Sequence, residues 1–279
     1  MKTILIPVDF SKESHKALSV GASLAKIISA RLVLAHMVDF DQSLLKIKTR
    51  KYIKHKSKSS KTIANQFDKF IDQDFLKDII VEPIVQSTIN FKNIGKIADE
   101  FSADLIIMGS HGAKGFSEIT KGSNTEKVIR TSNVPVLVIK ENNINFSFDK
   151  ILFVSDFKEE SINAYCKIEK LSKDLNSQLI LLYINLPKYS FRSTKQIDDV
   201  LYSFFKKADS PNPIKIIKKV NRYSAYSIEE GISNFTQVHP VDIISIPTHG
   251  RKGLTHFFYG SVSEDIANHN ILPVLTVKI

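Results

Sequence analysis

One arrangement able to do chemistry occurs twice in this chain. The first copy reads Asp104-Leu105-Ile106-Ile107-Met108-Gly109-Ser110-His111-Gly112, then nine residues, then Gly122-Ser123. The second reads Asp242-Ile243-Ile244-Ser245-Ile246-Pro247-Thr248-His249-Gly250, nine residues, then Gly260-Ser261. Each begins as an apolar strand signal, turns through small residues and delivers a serine to a helical stretch. Gly109 and Gly112 let backbone N–H groups approach an anion with no Cβ in the way. Ser123 with Glu126, and Ser261 with Glu264, have the spacing of capping boxes, so each serine starts a helix whose positive end faces the turn. Oriented amides at a helix start form a phosphate cradle. His111 and His249 have no acid placed to orient them and no nucleophile beside them, so they read as loop histidines near a ligand and no catalytic residue is assigned. No metal-ligand pattern accompanies the loops.

The elements that must hold these loops repeat as well. Ile4-Leu5-Ile6-Pro7-Val8-Asp9-Phe10 aligns with Ile151-Leu152-Phe153-Val154-Ser155-Asp156-Phe157 at an offset of 147, and Leu32 to Met37 aligns with Leu179 to Ile184 at the same offset. From Asp104 onward the offset is 138, so the second copy is nine residues shorter, the extra residues of the first lying around its basic segment. Short β-branched runs alternate with helical patterns, which implies βαβ units and a parallel sheet. Strands are expected at 4–8, 32–37, 79–85, 105–108 and 134–140. Helices are expected from Ser11 as cap through Ile28, near 60–75, near 89–101 and at 124–131. Pro135 must open its strand or lie at an edge. The polar stretch 141–145 reads as a linker. In such a sheet ligands bind beyond the carboxyl ends of the strands, where strand order reverses. Pro7-Val8-Asp9, Met37 and Met108-Gly109 converge there.

The bulk numbers agree with two soluble domains. The length of 279 residues exceeds a usual single domain, and no apolar run approaches the ~20 residues that span a bilayer. The single Cys166 makes no intramolecular disulfide and favours a reducing compartment, with the thiol expected as a small packed group. A cytoplasmic location is expected. Much of the net charge of +10 comes from residues 46–61, which hold eight Lys and Arg and no acid. A solvated face is the reading favoured there over a nucleic-acid patch, since few aromatics are interleaved and no nucleic-acid motif is present.

The spacing Gly-x-x-Gly, nine residues, Gly-Ser, with the opening Ile-Leu-Ile-Pro-Val-Asp-Phe-Ser, resembles the universal stress protein family over essentially the whole chain, as tandem copies at 1–141 and 148–279. The resemblance implies two Rossmann-like (adenine nucleotide alpha hydrolase-like) α/β domains, each a five-stranded parallel sheet of order 3-2-1-4-5 with helices on both faces. It also implies ATP or AMP, with or without Mg²⁺, as ligand. By position, Pro7, Val8, Asp9 and Met37 would border adenine and ribose. Met108, Gly109, His111 and Gly112 would line the ribose and α-phosphate, and Gly122, Ser123, Asn124 and Thr125 the outer phosphates. A weaker second site would comprise Asp156, Ile184, His249, Gly250, Gly260, Ser261, Val262 and Ser263. The family pairs domains through the last strand, so 134–140 and 272–279 would pair within one chain; a homodimer is a further option.

The second copy departs from the pattern. Pro247 stands where Gly109 does, removing an N–H donor, and Val154-Ser155 replaces Pro7-Val8. A lost contact of that kind weakens binding by roughly 1.5–3 kcal/mol. The leading expectation is a nucleotide-responsive stress protein that acts without turnover. A slow ATP-hydrolysing enzyme and a non-nucleotide-binding interaction module are the alternatives.

Overall fold

The computed structural model describes residues 1–37, 58–86, 91–110, 124–140, 147–248 and 272–279. The first half holds β1 (Thr3–Val8), α1 (Lys12–Ile28), β2 (Arg31–Met37), α2 (Lys58–Ile71), β3 (Val81–Gln86), α3 (Ile94–Glu100), β4 (Leu105–Ser110), α4 (Asn124–Thr131) and β5 (Val136–Lys140). The second holds β6 (Lys150–Val154), α5 (Ile162–Asp174), β7 (Gln178–Asn185), α6 (Thr194–Lys207), α7 (Pro213–Ile217), β8 (Asn221–Ser224), α8 (Ile228–Val238), β9 (Ile243–Thr248) and β10 (Val274–Lys278).

Ten strands form one sheet in the order β3-β2-β1-β4-β5-β10-β9-β6-β7-β8. Each half therefore has the order 3-2-1-4-5, with parallel pairs throughout. The halves meet where β5 and β10 run antiparallel, with Leu137 opposite Leu275. Thr276 Oγ1 donates to Val136 O across this seam at 3.3 Å, and Lys167 and Lys278 reach Asn133 at 3.1 and 3.2 Å.

The local reasons are readable. β1 is buried on both faces along its whole length, which is why it is almost all apolar. Ser11 Oγ accepts from Ser14 N at 3.2 Å and starts α1, and Ser29 in the left-handed region stops it. Pro135 and Pro273 lie just ahead of β5 and β10, where their carbonyls still accept from Ile106 N (2.9 Å) and Ile244 N (3.0 Å). One apolar layer under α1, α2, α5 and α6 runs across both halves, while the opposite face carries a separate cluster in each.

Some element bounds differ from the sequence reading. The strand expected at 79–85 is Val81–Gln86, because Asp78 takes a positive φ of 67° and ends a turn there. The helix expected near 89–101 is a 3-10 turn at Phe91–Asn93 followed by Ile94–Glu100. Cys166 is exposed on α5 rather than packed, because the buried stripe of that helix passes through Ala164, Tyr165 and Ile168. Among the described residues no helix is long and apolar enough to cross a membrane.

Candidate functional site

The carboxyl ends of β1, β2 and β4 bring Pro7, Val8, Asp9, Met37, Met108 and Gly109 to one end of the sheet, beside which α4 begins with Asn124 and Thr125. His111, Gly112, Gly122 and Ser123 lie outside the described residues, as do His249, Gly250, Gly260, Ser261, Val262 and Ser263 of the second copy. Asp156 and Ile184 end β6 and β7 at the equivalent place.

The residues brought together contribute in different ways. Val8 and Met108 are core side chains, on opposite faces of the sheet, so only their backbones are at the site. Thr125 is buried and Asn124 exposed. Asp9 is exposed, and its Oδ1 accepts from Ser11 N at 3.0 Å. Burial pushes the Asp9 carboxyl up, but hydrogen bonds from Ser11 and Ser14 outweigh it and hold the group below its ordinary value. A carboxylate fixed at a strand end can accept from hydroxyl or amino groups. Asp104 and Asp242 belong to the opposite end of the sheet: Asp104 Oδ2 accepts from Lys2 N and Thr3 N at 2.6 and 3.1 Å, and Asp242 Oδ2 from Lys150 N at 2.8 Å. They are structural clamps.

Gly109 has a packing reason as well as a ligand one. A Cβ there would lie 2.2 Å from Glu13 O, because the first turn of α1 sits directly on the strand. In the second copy Pro247 occupies this place by alignment, and the segment before the helix, Glu159–Ser161, forms a 3-10 turn, so α5 starts only at Ile162. The later helix start accompanies the bulkier residue.

Two supporting residues escaped the sequence reading. Phe10 and Phe157 follow the two site aspartates and both take positive φ, 62° and 52°. Phe10 packs on His36, Phe67 and Phe70 with ring centroids 4.5, 5.1 and 5.5 Å away. Phe157 packs on Phe153, Tyr183, Phe204 and Phe205. A bulky residue in the left-handed region is strained, and these aromatic anchors hold it there. His36 Nδ1 donates to Val8 O at 2.7 Å, fixing the end of β1. The available signal was the repeated Asp-Phe and the alignment of His36 with Tyr183.

The second site has different chemistry. Lys158 Nζ pairs with Asp156 Oδ2 at 2.7 Å, and the carboxylate raises the lysine above its usual range. The corresponding residue in the first copy is Ser11. Ser155 Oγ accepts from Phe157 N at 2.9 Å. Thr248 Oγ1, next to Pro247, is buried with no hydrogen-bond partner among the described residues.

The described part of the first site thus comprises a strand-end carboxylate, backbone groups of β1 and β4, and the start of α4.

The family model described as the universal stress protein family matches residues 1–140 and again 147–278. Universal stress protein MJ0577 of Methanocaldococcus jannaschii is 32% identical over 161 residues, covering 51% of this chain and 96% of that protein. Universal stress protein Sll1654 of Synechocystis is 30% identical over 138 residues, covering 50% of this chain and 85% of that one. A crystal structure of a universal stress protein from Archaeoglobus fulgidus matches 99% of this chain and 96% of its own, with a TM-score of 0.63 and 20% identity, which shows the shared fold over both halves.

Proposed function

This chain belongs to the universal stress protein family, and from that premise we propose that it binds an adenine nucleotide, ATP or AMP, chiefly in its first half, as a nucleotide-responsive regulatory protein. The observation that carries the reading is the asymmetry of the two strand ends. In the first half Asp9 is exposed with no cation on it among the described residues, and Gly109, unlike proline, carries an N–H. In the second, Asp156 is taken by Lys158 and position 247 has no N–H.

Asp9 accepts from hydroxyl or amino groups of the nucleoside. The Gly109 amide and the start of α4 face the phosphates, with residues 111–123 as the phosphate loop; Mg²⁺ would accompany ATP there. Each half is taken as a domain, 1–141 and 148–279, the two joined as a pseudo-dimer through their last strands. No base–nucleophile set lies among the described site residues, which favours binding over turnover. The location proposed is the cytoplasm.

Calorimetric titration of ATP and AMP into wild type, Asp9→Asn and Asp156→Asn tests this. Loss of a hydrogen bond to a charged group costs about 1.5–3 kcal/mol, so affinity falls roughly ten- to a hundredfold in Asp9→Asn and stays unchanged in Asp156→Asn. Equal effects of the two substitutions would reject the assignment. ATP turnover by wild type, abolished by a loop substitution, would move the reading to a slow hydrolase.

A further inference from the structure

Among the described residues every exposed tyrosine and phenylalanine lies in the second half. Tyr189 is fully exposed, and Tyr226, Phe191 and Tyr202 are 86, 62 and 46% exposed. Three of these rings stand at neighbouring strand ends. Tyr189 and Phe191 follow β7 and Tyr226 follows β8, where Ala225 N donates to Asn185 O at 3.4 Å. Buried Asn185 also pins the loop that carries the first two. Its Nδ2 donates to Arg192 O and its Oδ1 accepts from Arg192 N, both at 3.0 Å. Both polar atoms of a buried side chain are thus spent on holding a loop whose rings stay in water.

Charge follows the same flank. Residues 186–222 hold nine Lys and Arg against three Asp, a net of +6. Among the described residues no acid pairs with Lys188, Lys195, Lys206, Lys215, Lys218 or Lys219. Lys195, Tyr202 and Lys206 share one exposed stripe of α6, with Asp199 the acid on it. α7 packs on α6 and carries Lys215, and Lys218 and Lys219 lie in the turn that follows. Arg222 and Asp198 tie β8 to α6, and Arg192 stands close enough to Lys158 to oppose its charge. α6 alone has 14 residues, about 21 Å of rise.

Rings interleaved with unpaired cations over such a length match a single-stranded nucleic acid, whose phosphates take the cations and whose unstacked bases take the rings. A duplex offers phosphates but no free base face. A membrane surface would need an apolar helix face, and that of α6, formed by Ile197, Leu201, Phe204 and Phe205, is buried in the core. The basic segment 46–61 differs in holding a single aromatic, Tyr52.

We propose that the flank formed by β7, α6, α7 and β8 binds a single-stranded nucleic acid, RNA or DNA. Bases stack on Tyr189, Phe191, Tyr202 and Tyr226, and the backbone runs along the lysines. This flank ends the sheet at β8, away from the strand ends of the first half, and the proposal does not rest on the nucleotide reading.

Fluorescence anisotropy with the full chain tests it, using labelled oligouridine and oligothymidine to separate RNA from DNA. A duplex of the same length and phosphatidylserine vesicles serve as the competing probes. A single strand binds at least about tenfold more tightly than the duplex. Tyr189→Ala/Phe191→Ala lowers that affinity at least about tenfold, with the melting temperature and the salt dependence unchanged, because both rings are exposed and uncharged. Lys218→Gln/Lys219→Gln instead flattens the slope of log affinity against log salt by about 1.4, at roughly 0.7 for each phosphate contact.

Affinity that survives the ring substitutions and follows the lysines alone would reduce the flank to an unselective polyanion surface and overturn the proposal. Equal affinity for the duplex, preferential binding to the vesicles, or no binding of either single strand would overturn it as well.

Discussion

The strand ends of the two halves differ far more than their cores do. β1 and β6 occupy the same place in the same strand order, are followed by an aspartate and a left-handed phenylalanine, and lie on one continuous apolar layer. Yet Asp9 is held by Ser11 and Ser14, while Asp156 is neutralised by Lys158. α1 begins directly against Gly109, while α5 starts later, after a 3-10 turn. Frame and site are thus separable: a duplicated sheet tolerates exchange of the few groups beyond its ends, because those groups are not what buries the core.

The largest difference between the halves is expected at their phenylalanine anchors. Phe157 is almost fully buried among four aromatic rings, so Phe157→Ala should destabilise the chain by about 3–5 kcal/mol in denaturant unfolding. Phe10→Ala, at a partly exposed position, should cost clearly less; equal costs would mean the two anchors are equivalent. Gly109→Val comes next. Its Cβ has no room against Glu13 O, and a cost of about 3 kcal/mol is expected, whereas Pro247→Ala should cost under about 1 kcal/mol. A loss of nucleotide affinity in Gly109→Val is therefore no clean test of the amide, since α1 must shift.

Smaller effects sharpen the contrast. Thr248→Val removes a buried hydroxyl that has no partner among the described residues and should stabilise by about 1 kcal/mol; a loss of stability would show that the hydroxyl is satisfied. Lys158→Met breaks a half-exposed pair and should change stability by less than about 1 kcal/mol. The smallest effect is in acid. The Asp9 carboxyl is held low in the folded chain, so its contribution is fully present above its ordinary value of 3.8 and is lost as pH falls below it. Asp9→Asn should flatten that limb of the stability curve, and carboxyl titration by NMR should place Asp9 below 3.8.

Much of this frame was legible in the sequence because it depends on local patterns. Apolar runs, Ser11 as a cap, Pro135 ahead of its strand and the offsets between copies each reflect neighbours close in the chain. What was illegible depends on distant pairs. Nothing near Gly109 says that Glu13 lies on it, and nothing near Lys158 says that α5 starts with a 3-10 turn where α1 does not. Cys166 was misread because a free cysteine is usually a small packed group, although its own helical phase turns it outward. The aspartates that open the two motifs carry no sequence signal of their role, which is to clamp the far end of the sheet through backbone amides more than ninety residues away.

The proposed adenine nucleotide occupies the strand ends of the first half and not those of the second. An amide NMR titration of the full chain with ATP separates the two halves residue by residue. Shifts at Asp9, Gly109 and Thr125 that saturate while Asp156 and Thr248 stay unmoved are the expected result; no shifts at saturating ATP, or equal shifts in both halves, would contradict it.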